Sequence, residues 1–159
     1  MKQVKKLEAL LNELENKISD YEYGDPAISK GSVGWHIEHS LLTLNLVIDV
    51  LKKSNPDQYR WTFNLKRSYV VLLGRIPRGK IKAPAPVRPS AGYNLTSLLE
   101  HIKLSKDKIK SLKGLQPNHF FKHPFLGNMN YRQTVKFLQI HTSHHLGIIS
   151  DIIKNKTAS

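Results

Sequence analysis

His141 and His145 are the two side chains whose type and spacing most directly offer chemistry. Residues four apart on a helix have Cβ atoms about 5–6 Å from one another, so two imidazoles so placed can share one metal ion. The surrounding stretch, NYRQTVKFLQIHTSHHLGIISDIIKN, puts Tyr131, Val135, Leu138, Thr142, Leu146, Ile149 and Ile153 on one side at helical period. His141 and His145 lie at the edge of that apolar face, and His144 is expected on the charged side. A third ligand must come from another element, and the WHIEH segment, Trp35–His39, is the best donor. His39 falls in an apolar stripe of its own helix, between Trp35 and Leu46 in angle; His36 falls in the gap between two stripes. Three neutral imidazoles without a thiolate suit zinc, nickel or ferrous iron and leave a coordination position for water or substrate. The plainer reading of an i, i+4 pair alone is two partly buried, hydrogen-bonded histidines.

Several familiar catalytic patterns are absent. Thr142 follows His141, where a zincin helix has its glutamate, and Glu38 points away from His39, so no general base is assigned. The glycines of GRIPRGK do not match a phosphate-binding loop, and there is no Gly-x-Ser-x-Gly elbow. The chain contains no cysteine, which excludes disulfides, thiolate metal sites and a thiol nucleophile of its own.

Positioning these histidines requires long helices. A first is expected over residues 3–18, with Val4, Leu7, Leu11, Leu14 and Ile18 in register. Ser32 offers the N-cap of a second helix reaching Lys53, with two apolar stripes: Val33, Ile37, Leu41, Leu44, Ile48, Leu51 and, opposite, Trp35, Leu42, Leu46, Val50. That pattern predicts burial on two sides. A short helix is expected over Leu65–Leu73, then a basic stretch holding Pro77, Pro84, Pro86 and Pro89 that forbids a long helix. A third long helix starts near Asn94 or Ser97, where Ser97 and Glu100 match capping-box spacing, and runs to about Leu112, with Gly114 as its stop. LQPNHFFKHPFLGNMN reads as an aromatic loop packed over one end of the helices. Asn130 with Gln133 then opens the last helix. The expected fold is all-α: one domain over residues 1–159, a four-helix bundle with a long basic, proline-rich crossover between the second and third long helices. Such a crossover lets those two helices run parallel.

The formal charge of +13 is uneven. Residues 1–57 hold seven Lys/Arg against nine Asp/Glu, whereas residues 58–159 hold eighteen against three. This asymmetry suggests an anionic partner, with ordinary solubility as the competing explanation. There is no run of about 20 apolar residues and no signal-like N-terminal core, so a cytoplasmic chain without membrane attachment is expected.

GSVGWHIEHSLL, the basic IPRGKIKAPAPVRP crossover, HPFLGNMN and HTSHHLGII together resemble the DinB-like superfamily of metal-binding four-helix bundles, in a branch without an assigned function. The likeness spans about residues 30–155, and its most specific parts are H-P-F-x-G and H-x-x-H-H. It implies a divalent metal held by His39, His141 and His145, with His36 as a second-shell or alternate ligand. His123, in the HPFLG stretch, matches a feature of the family to which chemistry assigns no role beyond capping the helices. Members of the superfamily include enzymes that use a low-molecular-weight thiol at the metal. For an anionic cofactor thiol, Arg75, Arg78, Lys80, Lys82 and Arg88 would supply countercharge.

The expected function is accordingly a metal-dependent hydrolase or thiol-dependent transferase acting on a small, anionic molecule, with homodimer formation implied by the superfamily. The alternative is a non-catalytic basic module for an anionic partner. In that role nucleic acid ranks below small molecules, although Tyr59, Trp61, Phe63, Tyr69 and Tyr93 interleave the basic segment.

Overall fold

The computed structural model describes residues 2–79, 83–90 and 92–158. Five helices and one hairpin follow in order: α1 (Lys2–Glu15), α2 (Val33–Lys53), α3 (Leu65–Leu73), α4 (Leu95–Lys110), β1 (Phe120–His123), β2 (Gly127–Asn130) and α5 (Tyr131–Ala158). Single 3-10 turns lie at Ile18–Asp20, Pro56–Gln58 and Ala85–Val87. Among the described residues no helix is long and apolar enough to cross a membrane.

The four long helices α1, α2, α4 and α5 share one apolar core, because each carries a stripe at helical spacing. Leu7, Leu11 and Leu14 of α1 meet Ile37, Leu41, Leu44 and Ile48 of α2, Leu98, Ile102 and Ile109 of α4, and Val135, Leu138, Ile149 and Ile152 of α5. Side-chain pairs fix the helix directions. Glu38 bonds His101 and Asp49 bonds Lys108, so α2 and α4 run parallel, as the long connection between them allows. His39 meets His141 while His36 meets His145, so α2 and α5 run antiparallel.

Local chemistry sets the boundaries. The Ser32 side chain accepts from the Trp35 amide at 3.2 Å, capping α2 as expected. Gly34 then lets the first turn of α2 press on the Tyr21 backbone; a Cβ there would lie 2.8 Å from the Tyr21 carbonyl oxygen. Asn130 and Gln133 bond each other's backbone amides reciprocally at the start of α5. The cap of α4 differs from expectation: Asn94 pairs with Ser97, not Ser97 with Glu100. Helix α1 ends three residues early, and Ile18 is buried from the 3-10 turn instead.

Two further expectations are corrected. The second stripe of α2 is not a buried face, for Leu46 and Val50 each remain 40% exposed. The aromatic loop is a β-hairpin, with Phe120 opposite Asn130 and His123 opposite Gly127. Its anchor is Arg67 of α3, a buried guanidinium with no carboxylate partner among the described residues. It donates instead to the backbone carbonyls of Leu126 (3.3 Å), Asn128 (2.6 Å) and Thr62. Phe121 packs on the core, whereas Phe125 stays 48% exposed.

Candidate metal centre

His39, His141 and His145 converge. Each offers a ring nitrogen, and the three atoms lie within 4.8 Å of one another, close enough to share one ion after small ring rotations. The helical period explains the pairing within α5, and the antiparallel packing of α2 brings His39 across to it. His39 and His145 are buried, while His141 is partly exposed.

The atoms behind the cluster decide which nitrogens are free. His39 donates its Nδ1–H to the Val87 carbonyl at 2.6 Å, leaving Nε2 as its unprotonated atom. Its ring is also stacked on Trp35, with centroids 5.1 Å apart. His145 Nδ1 lies 2.9 Å from Nδ1 of His36, whose Nε2 lies 2.9 Å from Ser29 Oγ. When His145 donates within this chain, its Nε2 is likewise free, and His36 passes the bond on to Ser29. A buried carbonyl and a buried imidazole thus stand behind two of the three rings, as outer partners of metal-binding histidines usually do.

The cluster favours neutral rings. Burial is the main cause holding the His141 and His145 pKa values well below the ordinary 6.5, and mutual repulsion among the histidines adds to it. Burial also lowers His39, against the opposing bond to Val87. His36 falls to about 4, through burial first and then His39, His144 and Arg78. Neutral imidazole is the ligating form, so this donor set fits a divalent ion of borderline softness.

His36 is therefore hydrogen-bonded to one of the three rings. His123 accepts the amides of Phe125 and Leu126 on Nδ1, at 3.1 and 3.2 Å, which fixes its proton on Nε2. Its ring packs on Phe137, which in turn packs on His141. His144, expected on the charged side, is half-buried, because the segment through Ile76 and Arg78 folds over that face of α5. Glu38 is held by His101 at 2.9 Å on the far side of α2.

A cavity of about 500 Å³ opens beside the cluster, walled by α2, residues 76–79 and 83–87, the hairpin and α5. Arg75, Arg78 and Arg88 do not line it. Arg75 and Arg78 instead border a second cavity with Tyr69, Ser143 and His144, and Arg78 is paired with Asp151 at 2.7 Å. Arg88 bonds the Ala83 carbonyl. Lys80 and Lys82 lie outside the described residues. Sequence reasoning missed the Val87 carbonyl, which no residue type announces, and Thr43, which lies one turn beyond His39 in the cavity wall.

No known protein family, curated protein or solved structure matches this chain.

Proposed function

We propose that this chain is a metal-dependent enzyme, a hydrolase or thiol-dependent transferase, built as a DinB-like four-helix bundle. The convergence of His39, His141 and His145 beside an open cavity carries the reading. His39, His141 and His145 would hold a divalent ion, which would supply Lewis acidity to the cavity. The chain's own residues do the rest. Val87 and His36 hold the rings of His39 and His145 in orientation, Trp35 stacks on the face of His39, and apolar walls flank the open side of the cluster. The absence of cysteine means that a sulfur nucleophile would come from a bound thiol.

The reading is tested by loading the protein with zinc, nickel or ferrous iron and assaying ester and amide hydrolysis, and thiol transfer to electrophiles. Metal-dependent turnover that is lost on chelation and in His145→Ala supports it. Turnover unchanged by both treatments contradicts it.

The cavity at Arg75 and Arg78 favours a second reading, a module that holds an anionic partner. A nucleic-acid titration across salt concentrations separates the two, because phosphate contacts make affinity fall steeply with ionic strength.

A further inference from the structure

The cavity beside the histidines is unlike the rest of this basic molecule. Its walls are Trp35, Leu46, Val47 and Val70, the prolines at 77, 84 and 86, and Phe121, Phe125 and Phe137. Lys122 is its only Lys or Arg among the described residues, and no carboxylate lines it. Against such walls a multiply charged occupant would lose hydration and meet, among the described residues, a single countercharge in Lys122. Thr43 adds one polar point. It is only 6% exposed, lies one helical turn from His39, and its hydroxyl has no hydrogen-bond partner among the described residues. Buried hydroxyls are ordinarily paired, so an orphan in a cavity wall asks for a ligand atom. Rotation about χ1 between staggered wells lets this hydroxyl be re-aimed to meet a ligand atom.

Resting on the three-histidine reading, we propose that this cavity takes a compact, largely apolar molecule with two polar ends: a metal-binding head at the histidines and a hydrogen-bonding group received by Thr43. Of the residues expected to supply countercharge to an anionic ligand, Arg75 and Arg78 border a different cavity and Arg88 bonds the Ala83 carbonyl, while Lys80 and Lys82 lie outside the described residues.

The test uses cobalt(II)-loaded protein, whose visible absorption reports on ligands at the metal. Acetohydroxamate, benzohydroxamate and the three hydroxybenzohydroxamate isomers serve as probes. Benzohydroxamate is expected to bind at least about tenfold more tightly than acetohydroxamate, because its ring is buried in the apolar walls. One hydroxy isomer is expected to bind more tightly still, an advantage lost in Thr43→Val and kept in Thr43→Ser. Equal affinity for acetohydroxamate and benzohydroxamate overturns the proposal. So does a hydroxyl preference that is absent or that survives Thr43→Val. Failure of cobalt to load at one ion per chain removes the three-histidine reading itself, an outcome distinct from loading without any gain from the ring.

Discussion

His36 and His145 face each other through their Nδ1 atoms 2.9 Å apart, and only one of the two can carry the shared proton. Placing it on His145 frees the Nε2 that a metal needs, with His36 and Ser29 completing the chain. His36→Ala is therefore expected to weaken zinc affinity about 10–100-fold while leaving the number of sites at one, measured by competition with a chelator. Unchanged affinity would reduce His36 to packing. The same side chains govern acid stability without metal. In the unfolded chain these histidines take up protons near pH 6.5, whereas burial holds His36 and His123 near 4 and His141 and His145 well below 6.5. The unfolded state then binds more protons, so stability is full above about pH 6.5 and is lost as pH falls toward 4. The urea midpoint of metal-free protein should drop steeply across that window, and a flat profile would contradict the buried, neutral cluster.

At the scale of elements, the hairpin depends on one cation. Arg67 donates to three backbone carbonyls from inside the fold, so Arg67→Met leaves the buried Leu126 carbonyl and two part-buried ones without this donor. A loss of about 1–3 kcal/mol in denaturant stability is expected, the cost of a buried carbonyl left unpaired. A loss under 0.5 kcal/mol would mean that the hairpin is held by its aromatics alone. Arg67 also shows where the sequence stops being legible. An arginine on a short helix reads as solvent-facing, and only the fold reveals that α3 turns it under the hairpin. FFKHPFLGNMN lacks strict alternation, so nothing in its pattern distinguished a hairpin from a loop. Asn94 and Ser97 are both plausible caps with a partner three residues on, and spacing alone could not choose between them. By contrast, Ser32, the Asn130–Gln133 box and the limits of α3 were readable, because local geometry fixes them. The His141–His145 pair was readable for the same reason, and His39 followed from its place in a stripe. His144 was misjudged because helical angle gives a direction but not what folds over it.

Over the whole molecule, Lys122 is the one Lys or Arg among the described residues that lines the histidine cavity. Other described cations sit in surface ion pairs such as Lys156–Asp20 and Arg78–Asp151, contacts of the kind that stabilise little. What holds the molecule together is the core shared by α1, α2, α4 and α5. That packing carries His39 across to His141 and His145. The most direct measurement is the metal content of untagged protein by elemental mass spectrometry, after equilibration with zinc and removal of free ion. One zinc per chain is expected, falling to a small fraction of that in His39→Ala, in His141→Ala and in His145→Ala. Variants that remain folded by circular dichroism and still retain one zinc per chain would contradict a shared site at these three residues.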